Sequence, residues 1–261
     1  MSTSHTPNFL LDGLTPADEP SAKAESDIAL WDDLFSSLTE HHTPDGKQSF
    51  LVIHDGSATW GIPGAPQLIA LHITRDLTAR TFRIEQADHP TMPFAQLWLV
   101  SRGCPPDAIQ LPEDQHIEPA DALTIRIEDQ IRHSGTRYEI KDHYTHDSVP
   151  YETWVMVRDS DPSAADLPVR IFLEETDFDA FTYTVREGAF RDGTSANQWL
   201  FDRDTPLPEP PEHLVSADRR TRAALARSTT GQSATAASVH APAAGSAPSP
   251  GAPSHRRGGR S

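Results

Sequence analysis

The sequence predicts an α+β fold: a largely antiparallel sheet from two tandem strand-strand-strand-helix units joined by a β-hairpin, with helices mainly on one face and a disordered carboxy-terminal tail. Three observations carry this. Residues 76–105 and 177–206 align without a gap at a constant offset of 101 residues. Period-two alternation of apolar and polar residues recurs on both sides of that repeat. The last stretch, 229–261, is rich in Ala, Pro, Ser and Gly and has little to bury.

The aligned pairs are Asp76/Asp177, Ala79/Ala180, Thr81/Thr182, Ala95/Ala196, Trp98/Trp199, Leu99/Leu200, Arg102/Arg203 and Pro105/Pro206. A fixed-period repeat is an architectural signal before it is anything else. In the first copy Thr81-Phe82-Arg83-Ile84-Glu85 reads as a half-buried strand. Pro93 suits the first turn of a helix, where a missing N–H costs nothing. Ala95, Trp98, Leu99 and Arg102 then fall on one helical face, and Gly103 suits the left-handed position after the helix. The second copy predicts a strand over 182–187, a Thr194 or Ser195 cap, and a helix over 196–203 carrying Ala196, Trp199, Leu200 and Arg203. Pattern alone extends the copies upstream, matching 50–53 to 151–155 and 67–71 to 168–172.

In chain order, 1–25 reads as a flexible amino terminus, interrupted by Pro7, Pro16 and Pro20. Its apolar group, Phe9-Leu10-Leu11 with Leu14, is the one part that would dock. An α+β domain follows over 26–208. Ile28, Trp31, Leu34, Phe35 and Leu38 predict an amphipathic helix over 26–41. Unit one covers 48–106; its 61–66 segment, Gly-Ile-Pro-Gly-Ala-Pro, is turn chemistry and no phosphate loop. A connecting hairpin is expected over 120–147, turning at Ser134-Gly135 and pairing Glu128 with Lys141. Unit two covers 149–208, with the strand around Trp154 and Met156 apolar on both faces. Residues 209–228 read as a stiff linker and a short, solvated, arginine-rich helix.

The formal charge is −16, and all three basic residues beyond position 227 (Arg256, Arg257, Arg260) lie in a tail with no acid, so 1–227 carries −19. Such a field repels phosphate, which makes nucleic-acid binding by the folded part unlikely and leaves only weak contact by the arginine tail. A single cysteine, Cys104, precludes an intrachain disulfide. No apolar run suits a membrane span, and no signal peptide is evident. A soluble cytoplasmic protein is expected.

The densest polar cluster is 142–147, Asp-His-Tyr-Thr-His-Asp. The hairpin register sends Asp129, Asp142 and His146 to an otherwise apolar face, where carboxylates are costly unless paired or bound to a metal. These three are the candidate catalytic or metal residues. Cys104 follows a helix end, so nothing lowers its pKa. His54-Asp55-Gly56 and His72 lack any nucleophile partner. The expected function is a non-enzymatic binding or adaptor protein acting through a protein partner, without a cofactor. A metal-dependent or acid–base hydrolase using Asp129, Asp142 and His146 is the alternative.

Overall fold

The computed structural model describes residues 6–211, apart from 31, 110 and 112–116. The expectations for 212–228 and for a disordered tail over 229–261 lie outside the described residues. Each of the two tandem units closes its own five-stranded sheet, with orders β1-β5-β4-β3-β2 and β6-β10-β9-β8-β7. Unit one is β1 (Thr15–Pro16), α1 (Glu19–Leu30), β2 (Phe35–His42), β3 (Gln48–Asp55), the one-turn α2 (Ala58–Gly61), β4 (Leu68–Asp76), β5 (Thr81–His89) and α3 (Met92–Val100). Unit two is β6 (Glu118–Pro119), α4 (Ala122–Arg132), β7 (Tyr138–His146), β8 (Glu152–Asp159), β9 (Val169–Asp177), β10 (Thr182–Phe190) and α5 (Gly193–Asp202). All long strand pairs are antiparallel; only the two-residue β1 and β6 run parallel to their neighbours.

The repeat is structural. Asp76 Oδ1 accepts from the N–H of Thr78 and Ala79, each at 2.9 Å, and Asp177 Oδ1 does the same for Asp179 and Ala180. Both hairpins then place a left-handed residue before the return strand, Arg80 at φ 56° and Phe181 at φ 53°. The aligned Asp and Ala pairs are therefore turn residues. Trp98 and Trp199 lie on equivalent helices, α3 and α5. Pro93 occupies the first turn of α3, and Gly103 follows it at φ 93°. The cap of α5 is Asp192, which accepts from Ser195 N–H at 2.8 Å, in place of the expected Thr194 or Ser195.

Two elements differ from expectation. The helix predicted over 26–41 is α1 over Glu19–Leu30, and Phe35 and Leu38 belong to strand β2. Pro20 opens that helix instead of barring it, as its first-turn position allows. The hairpin expected over 120–147 is helix α4 followed by strand β7. Leu123, Ile127 and Ile131 share a helical face toward the core, and Ile125, which alternation would bury, is half exposed. Glu128 accordingly receives the Tyr183 hydroxyl at 2.7 Å, while Lys141 pairs with Glu139. The missed signal is Pro-Ala-Asp, which stands at 16–18 and again at 119–121. Asp18 and Asp121 cap the two helices through the N–H of Ser21 and Thr124, at 2.9 and 2.8 Å. The Ser21 and Thr124 hydroxyls in turn accept from Ile84 N–H and Val185 N–H of the last strand, at 3.0 and 3.1 Å.

Both faces of each sheet are covered. Ala24 and Ile28 of α1 pack with Leu51, Ile53, Leu71, Ile73, Phe82 and Ile84, whereas Ala95 and Leu99 of α3 pack with Phe50, Val52 and Ala70 on the opposite face. In unit two, α4 covers Val155, Val157, Phe172 and Val185, and α5 covers Met156, Ile171 and Phe190. Phe94 and Leu97 of α3 also enter the α4 core, so α3 joins the two units. The amino-terminal segment is docked: Phe9, Leu11 and Leu14 pack on the α1 core. Buried Arg75 holds it by donating to the carbonyls of Leu10 at 3.0 Å and Phe9 at 2.6 Å.

Candidate binding surface on the second sheet

Cross-strand register shows which side chains the two units share. His41, Phe50, His72 and Glu85 form one row across the first sheet. Tyr144, Trp154, Leu173 and Arg186 form the corresponding row across the second. Each row holds stacked rings: Phe50 on His72 at 4.7 Å, Tyr144 on Trp154 at 6.4 Å. Above them, Arg102 lies 3.4 Å over Trp98 and Arg203 lies 4.6 Å over Trp199. Arg102 also binds Glu85 at 3.0 Å, and Arg203 binds Glu152 at 2.7 Å. His89 takes the slot of Phe190, each ring about 6 Å from its tryptophan (6.0 and 6.1 Å). Burial there, with Arg102 nearby, pushes the His89 imidazole down to about 4, and neither of its nitrogens has a hydrogen-bond partner. These shared features are scaffold.

Several other buried polar groups are structural. Arg137 grips Asp159 with two 2.7 Å hydrogen bonds, and buried Arg170 reaches the same carboxylate at 3.3 Å. Burial pushes the Cys104 thiol up to about 12, which removes it as a nucleophile. Asp55 accepts from Ser57 N–H at 2.8 Å as a turn former, and burial lowers the neighbouring His54. His72 is held by Gln48 at 3.1 Å.

The sequence-predicted trio is divided by the second sheet. Asp129 is on α4, 2.5 Å from Arg132. Asp142 and His146 are on β7, and a bulge between Ile140 and Asp142 resets the register there. Asp142 lies opposite Met156, Tyr144 opposite Trp154 and His146 opposite Glu152, so these three β7 residues face the α5 side while Asp129 lies on the other. Among the described residues no three His, Cys, Asp or Glu side chains converge as metal ligands. The helix removes the geometric basis for joining Asp129 to Asp142 and His146.

The units part company in one loop. The β3–β4 connection has twelve residues and its β8–β9 counterpart nine. The longer loop of unit one is fastened to the edge strand of unit two. Gly64 carbonyl accepts Thr145 N–H at 3.2 Å, and Thr59 Oγ1 donates to Asp147 at 2.6 Å. Gly64 sits at φ 81°, flat against Tyr144: a Cβ there would lie 2.3 Å from the Tyr144 ring. No family model, curated protein or solved structure matches this chain. The fastened loop holds Trp60 and Ile62 outward, 73% and 68% exposed. Beside it run Tyr144 and His146, with ring centroids 4.5 Å apart, then Trp154. Asp142 on β7, Asp147 just after it and Glu175 on β9 are exposed. Sequence reasoning found Asp142 and His146 but missed Trp60, Ile62 and Trp154. The departure of the loop from the repeat is the signal that would have found them.

Proposed function

We propose that this is a non-enzymatic binding or adaptor protein that engages a protein partner through the surface where the unit-one loop meets strand β7. The observation that supports it is the pair Trp60 and Ile62, 73% and 68% exposed on a loop that is itself pinned at Gly64 and Thr59. Large apolar side chains on a fastened, exposed loop suit macromolecular contact. The charge of −19 over residues 1–227 argues for a partner other than nucleic acid. Among the described residues no helix is long and apolar enough to cross a membrane. A cytoplasmic setting fits a chain whose lone cysteine is buried. The test is quantitative cross-linking and enrichment from cells of the wild type, of Trp60→Ala/Ile62→Ala, and of Phe201→Ala as an exposed apolar control. Partners lost only by the double variant support the reading. An unchanged partner set in the double variant overturns it.

A further inference from the structure

We propose that the segment before β1 is a displaceable strap, and that the sheet face beneath it is a seat for an apolar helix of a partner protein. The repeat makes the two units comparable residue by residue. Leu51 and Leu71 pair across the first sheet as Val155 and Phe172 pair across the second, and Ile73–Ile84 corresponds to Glu174–Val185. In unit two this face carries a second helix beside α4. There α3 enters from unit one with Phe94 and Leu97, one turn apart, and the Phe94 ring meets Phe172 edge-on at 5.9 Å. In unit one the same face carries α1 but no second helix among the described residues. Phe9, Leu11 and Leu14 of the irregular segment 6–14 lie there instead.

The strap is a loose substitute for a helix. Phe9, Leu11 and Leu14 are only half-buried and Leu10 is exposed, whereas Leu51, Ile53, Leu71, Ile73 and Phe82 beneath them are fully buried. Leu10 stands at φ 50°, a left-handed conformation unfavourable for any residue with a Cβ. The fastening is polar and concentrated in one side chain. Besides the Phe9 and Leu10 carbonyls, Arg75 reaches the Gly46 carbonyl at 3.2 Å and Ser49 Oγ at 2.7 Å. Unit two has Thr176 at that position, so the anchor belongs to the strap and not to the repeated fold. With the strap released, Arg75 keeps Gly46 and Ser49 and presents its guanidinium at the rim of an apolar seat. The unpaired carbonyls at the carboxy-terminal end of an incoming helix can replace those of Phe9 and Leu10. The occupant is therefore a helix with two large apolar residues one turn apart, as in α3. A second copy of this chain does not supply it, because its α5 carries exposed Ser195 and Gln198 where α3 carries Phe94 and Leu97. This seat does not involve Trp60 or Ile62.

The probes are a synthetic peptide of residues 90–103, which contains α3, and the same peptide with Phe94→Ser/Leu97→Ser. Fluorescence anisotropy of the labelled peptides measures their binding to the full-length wild type, to Arg75→Gln and to Phe9→Ser/Leu11→Ser. The double variant leaves every fully buried residue in place. A strap that competes with the peptide lowers its apparent affinity, so each variant should bind the α3 peptide about tenfold more tightly than the wild type does. The serine peptide should bind none of the three. Hydrogen exchange on the wild type localises the event. The α3 peptide should accelerate exchange at Leu14, whose N–H donates to the Leu11 carbonyl at 3.0 Å, and leave β4 and β5 unchanged. Equal affinity of the wild type and the variants overturns the proposal. So does binding that leaves Leu14 exchange unaltered, and so does absence of binding to all three proteins. If Arg75→Gln does not fold, the double variant and the exchange measurement decide the matter by the same outcomes.

Discussion

Replacing His89 with phenylalanine should stabilise the protein, and more so in acid. The imidazole is 7% exposed, and both its nitrogens lack hydrogen-bond partners. An unsatisfied buried polar group costs about 1–3 kcal/mol. The second unit shows that the slot accepts a phenyl ring, since Phe190 stands there beside Trp199. Some repacking strain offsets part of the gain, so we expect about 1–2 kcal/mol at neutral pH, a few degrees in Tm for a domain of this size. The pH term has a definite sign. The folded imidazole titrates at about 4 and the unfolded one at its ordinary 6.5. Between those values the unfolded chain binds the extra proton, so the wild type loses stability as pH falls through that window. The loss is about 2 kcal/mol at pH 5 and about 3 kcal/mol below pH 4. His89→Phe has no such loss. Urea unfolding of both proteins at pH 7.5, 6 and 5 isolates the effect, because every other titrating group is common to the pair. Stability curves that run parallel with pH, or a variant less stable at every pH, would refute the reasoning.

Asp159→Ala removes the carboxylate shared by Arg137 and the 1%-exposed Arg170; it should cost about 3–5 kcal/mol, measured by urea unfolding. A cost under about 1 kcal/mol would mean that the guanidinium groups are satisfied without it. Gly64→Ala forces a Cβ onto the Tyr144 ring at a left-handed φ and should cost about 2 kcal/mol or more in thermal unfolding. It should also loosen the loop, accelerating amide hydrogen exchange over residues 58–66; unchanged exchange would show that the loop is held elsewhere.

Much of the architecture was legible because turn chemistry is local. Asp76, Ala79 and their counterparts Asp177 and Ala180 are conspicuous in the sequence because one carboxylate closes two N–H groups in each hairpin. The two leading helices were harder. Isoleucines at 125, 127 and 131 suit a strand as well as a helix, and only the Asp121 cap distinguishes them. Phe35 and Leu38 continued the period of α1 by coincidence, although a bulged strand had already begun. Each unit also begins about a helix and a strand earlier than the constant offset implied. The offset is 103 residues at the Pro-Ala-Asp segments and 101 after the unequal loops, so a gap-free alignment cannot follow it. The candidate site was half legible. Asp142 and His146 share a face with Tyr144, but Asp129 was assigned to it through a strand that is a helix. Nothing local in 58–66 reveals that Gly64 would meet Tyr144 some eighty residues later; that contact belongs to the packing of one unit on the other.

The proposed contact surface is the exposed end of the unit-one loop. The direct measurement is photo-cross-linking in cells, with a benzophenone amino acid placed at position 62 and, as controls, at 77 and 201, where Leu77 and Phe201 are also exposed. A discrete protein adduct formed from position 62 and absent from 77 and 201 is the predicted result. No adduct from 62, or the same adducts from all three positions, would contradict it.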